Sequence, residues 1–306
     1  MVNLRYHIVS LTAVFLALGL GILAGTTVID QQVVSGLRAN TAALRDDLDR
    51  VRANVSNLQR QLDVWERFGT AIEPPLLEGL LAGRAVVILS DRRVPGDVLS
   101  ELTEALTFAN TKRPTRLTLT DKWALESETA VEQLALALRI RSTNAEGVLT
   151  ASAARIGSRL GASANPRADG DLIKTLTDAD FLDVDDLPAS GSFPAANALV
   201  IVVSSGDKEQ VPALDGFFVP MVRALSGSRI VAVAEPTTAE RNRSLAELVR
   251  GDRAMARAVC TIDHADTVAG RLSIVYALRA LGSGEPAAHY GVRGGATAVV
   301  PDVRPA

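Results

Sequence analysis

IVSLTAVFLALGLGILAGTTVI, Ile8 to Ile29, is a run of 22 residues without a charged side chain. A bilayer's hydrocarbon core takes roughly 20 apolar residues of helix to cross, whereas the apolar region of a secretory signal takes only about 7 to 15. The run is long enough to span, so the sequence predicts a membrane anchor over residues 1–30. Small residues at Ala24-Gly25-Thr26 keep a cleaved signal sequence open as the alternative. The next most apolar runs, Ala198 to Ser205, Arg229 to Glu235 and Arg84 to Ser90, are strand-sized and end in turn signals, so they read as buried strands. The chain therefore crosses a membrane at most once by helix, which removes a helical channel built within one copy. Arg5 and Arg38 balance on the two sides of the run. Seven residues precede it, and the expected topology is a signal-anchor with residues 30–306 outside the cytoplasm, in the cell envelope. Inner and outer membrane are not distinguished.

Behind the run the apolar pattern changes. Val34, Leu37, Thr41, Leu44, Leu48, Val51, Val55, Leu58, Leu62 and Trp65 alternate at spacings of three and four without a slip. That is the a/d seam of a coiled coil. Mainly leucine at d points to a parallel two-stranded coil, and Asp47 at g faces Arg52 at the following e across such a dimer. An amphipathic helix folded back on its own domain is the other reading. Gly21 and Gly25 form a small-xxx-small pair that suits close packing of two membrane helices. The stalk is expected over residues 31–68, about 50 Å of helix. A break follows at Gly69, Pro74 and Pro75, giving a linker over 69–75.

From residue 76 strands and helices alternate. Strands are expected at Ala85–Ser90, Thr115–Thr120, Ala198–Ser204, Arg229–Ala234 and Ala258–Ile262. Helices are expected at Pro95–Asn110, within Glu126–Leu138 and Ala145–Leu160, and at Val211–Leu225, Ala239–Arg250 and Asp266–Leu281. This alternation implies an α/β domain, Rossmann-like, with a mostly parallel sheet over residues 76–282. No element is assigned over 161–197. Residues 283–306 read as an extended or disordered tail.

A net charge of −3 carries no nucleic-acid footprint. The single cysteine, Cys260, excludes an intramolecular disulfide and sits in an apolar strand as an inert thiol. In open α/β sheets ligands bind beyond the carboxyl ends of the strands. Here those junctions read Ser90-Asp91-Arg92-Arg93, Ser204-Ser205-Gly206-Asp207, Glu235-Pro236-Thr237 and Asp263-His264-Ala265-Asp266. Asp263 with His264 suits an acid/base pair and Ser205 a nucleophile. The same residue types cap helices, as Asp266 is expected to do. No G-x-S-x-G, GxxxxGK[ST] or GxGxxG follows a strand, so the expectation is a non-enzyme. His7, His264, His289, Cys260, Met1, Met221 and Met255 include no two at ligand spacing, and no cofactor is evident. The short, continuously apolar strands do not suit a transmembrane barrel either.

LRYHIVSLTAVFLALGLGILAG at the N-terminus, the heptads behind it, TIDHADTVAGRLSIVYAL and the closing HYGVRGGA together resemble the actinobacterial MctB family over nearly the whole chain. The resemblance implies an envelope protein of a mycolate-type actinobacterium with a role in copper efflux and copper resistance through a channel-like activity. Copper enters only by that resemblance, which transfers no catalytic or metal-binding residue. Family members are also discussed as cell-division partners that influence peptidoglycan hydrolases together with a neighbouring membrane protein. A coiled-coil stalk suits such an adaptor. The partners to expect are thus the membrane, a second copy or another coiled-coil chain, and envelope or division proteins.

Overall fold

The computed structural model describes residues 4–142, 144–162, 164–167, 170–188, 192–195, 197–227, 230–240 and 244–302, with the side chains of 26–34 and 230 outside that description. The chain divides into two compact units, Met1–Trp65 and Glu66–Ala306. Helix α1 runs over Leu4–Leu77. Within it, Leu4–Gly25 is the one helical stretch among the described residues long and apolar enough to cross a membrane.

In the second unit the strands described are β1 Val86–Asp91, β2 Thr115–Leu119, β3 Leu182–Asp185, β4 Leu199–Val203, β5 Ile230–Ala234, β6 Val259–Ile262 and β7 His289–Tyr290. They form one sheet in the order β3-β2-β1-β4-β5-β6-β7. Only the β2–β3 pairing is antiparallel. β1 and β4 are buried at every position because helices cover both faces of the sheet. Leucine, isoleucine and valine fill β4 and the first four positions of β1 for that reason. β2 alternates buried and half-buried positions as the sheet nears its edge. Edge strand β3 carries Asp183 and Asp185, charges that discourage pairing with another chain.

On one face, the end of α1 (through Leu77), α2 (Gly96–Phe108) and α9 (Val268–Gly282) share a core with Ile88, Ile201 and Ala232. On the other, α3 (Glu128–Ala137), α4 (Ala145–Gly161), α5 (Leu172–Asp178), α6 (Val219–Ser226), α7 (Leu245–Gly251) and α8 (Arg253–Ala258) pack on Leu89, Val200 and Val233. Local chemistry starts these helices where the sequence offers a cap. The side chains of Ser127, Asn144, Asp171, Ser244, Asp252 and Thr267 each accept a backbone N–H at the head of α3, α4, α5, α7, α8 and α9. The expected α/β fold with a mostly parallel sheet is present, and its order through β6 is that of doubly wound dinucleotide-binding folds.

Three expectations are corrected. The helix does not break over 69–75: it continues to Leu77 with Pro74 and Pro75 inside it. Tertiary contact outweighs the lost hydrogen bonds there, because Gly69 lies against Val268, Glu73 is buried on Arg271, and Leu77 is fully buried. Residues 283–302 are not a loose tail, since β7 pairs with β6 and Thr297 N donates to His289 O. The unassigned region contains α5 and β3. Of the expected elements, Arg229 and residues 241–243 lie outside the described residues.

Candidate functional site

The sheet reverses its winding between β1 and β4, so the crevice where a doubly wound fold takes ligands lies between Asp91 and Ser204. Asp91 is fully buried there. Its carboxylate accepts Ser205 N at 2.8 Å and Arg93 N at 2.8 Å. Burial raises its pKa, with those backbone donors opposing the shift. Gln210 closes the neighbouring turn: its Oε1 accepts from Ser204 Oγ and Gly206 N. Gly206 has φ +62°, and a Cβ on it would overlap Ala239. Ser205, the candidate nucleophile, thus lies in a junction stitched across the crevice from both sides.

The same arrangement recurs at the next two strands. After β5, Glu235 is fully buried and accepts Ser244 Oγ at 2.6 Å and Leu245 N at 2.5 Å. Burial raises its pKa too. After β6, Asp263 is fully buried and pairs with Arg250 Nη1 at 2.7 Å. It also accepts Val292 N at 2.8 Å and Arg293 N at 3.2 Å. Arg250 Nε donates to Thr261 Oγ1 and its Nη2 to Tyr290 O. Gly291, at φ +139°, turns the chain directly over the Asp263 carboxylate, where a Cβ would overlap it. The two C-terminal segments that carry the family resemblance therefore meet in space. The second supplies backbone donors to a carboxylate in the first.

The expected acid/base pair does not close. His264 Nδ1 stands 4.0 Å from Asp263 Oδ1, and neither ring nitrogen has a hydrogen-bond partner. Burial lowers the His264 pKa, against the pull of Asp263 and Asp266. The expectation that Asp266 caps α9 is corrected as well. Thr267 is the cap, while Asp266 accepts Thr237 N at 2.7 Å and Thr237 Oγ1 at 2.5 Å.

The soft-metal donors are dispersed. Cys260 is buried with its thiol pKa pushed up to about 11, and its Sγ accepts from Ala288 N. Met221 and Met255 are core residues. His289, expected in a loose tail, is buried with Nδ1 3.0 Å from Thr261 Oγ1 and Nε2 3.1 Å from Ala256 O. Among the described residues no group of three or more His, Cys, Asp or Glu side chains is placed to hold a metal ion.

Sequence reasoning missed Gln210, Ser244, Arg250 and the cluster of Glu73, Arg271 and Glu101. In that cluster Arg271 Nε and Nη2 donate to Glu73 at 2.8 and 2.9 Å, and Nη1 to Glu101 at 2.5 Å. A glutamate beside two prolines in an apolar turn was its one local signal.

The predicted seam lies on α1. Leu37, Leu44, Leu48, Val51, Val55, Leu58, Leu62 and Trp65 are 47–69% exposed, Thr41 Oγ1 donates to Leu37 O, and the Val34 side chain lies outside the described residues. Within the single helix Asp47 pairs with Arg50 and Asp49 with Arg52. A Cβ on Gly21 or Gly25 would meet open space.

Together these features define a protein with an N-terminal apolar helix and a doubly wound α/β unit whose ligand crevice is closed by its own hydrogen bonds. A family model described as "Copper transport outer membrane protein, MctB" matches residues 1–301. Proteins called "Copper transporter MctB" are similar along their whole length. That of Mycobacterium tuberculosis (strain H37Rv) is 26% identical over 98% of this chain and 99% of its own. That of Mycobacterium leprae is 24% identical over the same shares. The chain belongs to the MctB family.

Proposed function

We propose that this chain is a non-enzymatic component of copper transport in the cell envelope and acts in the direction of efflux, with copper as its cargo. The observation that carries this reading is the family match over residues 1–301, which takes in the apolar helix, the stalk and the α/β unit alike. A single spanning helix encloses no path for an ion. Transport in this reading therefore depends on assembly, either of several copies or with a partner. The test is a strain lacking the gene, complemented with the wild-type chain. Loss should raise cell-associated copper and lower the copper concentration tolerated, and the intact chain should restore both. Unchanged copper content and tolerance would overturn the reading, and lower content would reverse the direction.

The exposed seam favours a second reading, in which the chain is a membrane-anchored adaptor whose stalk recruits a second copy or an envelope or division partner. Leu44, Leu48, Leu58 and Leu62, all more than half exposed, lie at seam spacing and present apolar surface that a second helix would cover. Replacing these four leucines with serine should abolish association on pull-down of the full-length chain while leaving the α/β unit folded. Retained association would sink the adaptor. An enzyme at the strand ends has the least support, because Asp263 is committed to Arg250 and two backbone donors.

A further inference from the structure

The end of helix α3 carries a patch whose shape and charge are complementary to themselves. Leu136, on the outer side of α3, is 81% exposed, the highest value for a large apolar residue of the α/β unit among the described residues. Beside it lies an open groove of about 760 Å³, lined by α3 and by the turn at 139–142. The turn is built by the backbone. Arg139 takes a left-handed conformation at φ +51°, and Ile140 N donates back to Ala135 O at 2.7 Å. This folds Arg139 and Arg141 back beside the helix they terminate, while Glu128 and Glu132 line the other end of the groove. None of these four charges takes part in an ion pair among the described residues.

We propose that this patch docks on the same patch of a second copy, with the two α3 helices antiparallel about a two-fold axis near Ala135. A two-fold contact requires one surface to complement itself. In that arrangement Glu128 and Glu132 of each copy face Arg139 and Arg141 of the other, so acidic end meets basic end twice. Leu136 of each copy enters the groove of its mate, and Val131, Ala135 and Ile140 supply the apolar floor. A parallel mate would instead set like charges opposite one another. One helix face and one turn offer less than the roughly 800 Å² per partner of a stable free dimer, so the contact is populated when a common membrane concentrates the copies. The inference does not depend on copper.

The experiment uses the full-length chain in phosphatidylethanolamine–phosphatidylglycerol vesicles with Leu136→Cys as the probe and a short bis-maleimide as the cross-linker. Native Cys260 is buried and stays silent. Val292→Cys, on a position 74% exposed elsewhere in the unit, reports random encounters. Leu136→Cys should cross-link at least about tenfold faster than Val292→Cys, the factor a contact of ~1.4 kcal/mol provides. Adding Glu128→Arg with Glu132→Arg, or Arg139→Glu with Arg141→Glu, should return each chain alone to the Val292→Cys rate. Mixing the two charge variants should restore the link, now only between unlike chains, because one carries four cationic and the other four anionic side chains. All the substituted positions are exposed, so folding is not at stake. Equal rates for the two cysteine probes, or a mixture that stays at background, would overturn the proposal.

Discussion

Leu77 and Leu44 lie on one helix, yet the first is fully buried within the α/β unit and the second is 63% exposed. What surrounds Leu77 is supplied by the chain itself. Tyr276 Oη donates to Leu76 O at 3.2 Å, Glu73 grips Arg271, and Leu81 and Leu278 share the same core. Leu44, Leu48 and Leu58 are 53–63% exposed. The helix thus passes from a stretch whose apolar side chains are buried in this chain's own core to a stretch whose apolar side chains stay exposed. The polar groups of the α/β unit follow the first pattern. Buried carboxylates at the ends of β1, β5 and β6 are taken up by neighbouring N–H and guanidinium groups, so they hold loops together, which is a different task from presenting reactive atoms.

The strongest way to break that contrast is Asp263→Ala. Removing one member of a buried pair leaves the other charge uncompensated, a cost of about 3–5 kcal/mol. Arg250, only 3% exposed, would be left in that state, and Val292 N and Arg293 N would lose their acceptor. Chemical unfolding of the full-length chain, followed by the fluorescence of buried Trp123, should show a loss of that size. A shift below about 1 kcal/mol would mean that the carboxylate is not a structural tie and would reopen it as a reactive group. Glu73→Ala makes the same test at the end of α1. Here Glu101 remains on Arg271, so the loss should be smaller, roughly 2–3 kcal/mol. Burial pulls the Arg271 pKa down, but Glu73, Glu101 and Glu104 outweigh it and hold it above its ordinary value.

His264 runs against the pattern, since both its nitrogens are buried without partners among the described residues. Its pKa is lowered in the fold by burial. The unfolded chain therefore binds the extra proton first, and this side chain costs stability as pH falls below its ordinary pKa of about 6.5. Asp91 and Glu235, raised by burial, have the opposite sign: they favour the fold on acidification and lose that contribution as pH rises through their folded pKa values. The observed slope is the sum of both. Comparing wild type with His264→Leu isolates the histidine, because the carboxylates are common to both proteins. The variant should equal or exceed wild type at pH 7 and gain further on it as pH falls to 5. A variant that loses stability at both pH values would show that the ring has a partner.

The apolar N-terminal helix, the long helix behind it and the parallel core strands were legible because each repeats one physical rule over many residues: continuous apolarity, helical periodicity, and two-sided burial. β3 and β7 were not, being four and two residues long, with aspartates at the exposed positions of β3. The helix through Pro74 and Pro75 was misread because local propensity was weighed without Arg271, which lies far along the chain. At the site the junction residues Asp91, Ser205, Glu235 and Asp263 could be located from the strand pattern alone. Their partners could not, since Val292 and Arg293 reach Asp263 only through the turn at Gly291. A short Gly-containing segment in a polar tail looks the same in sequence whether it is loose or packed.

The smallest effect on stability is expected where the disruption looks most severe in sequence. Changing Leu44, Leu48, Leu58 and Leu62 to serine removes four large apolar side chains, yet these are 53–66% exposed and make no part of either core. Surface changes away from packed features stay within about ±0.5 kcal/mol, so the unfolding free energy of the full-length chain, followed by Trp123, should not move beyond that. Serine lowers helix propensity by only a few tenths of a kcal/mol per site, and that cost falls on α1 before Glu66. If the unfolding free energy instead falls by about 2 kcal/mol or more, the stalk is packed against its own α/β unit, the folded-back alternative for the heptads. If it holds while association disappears, the seam belongs to an interface between chains.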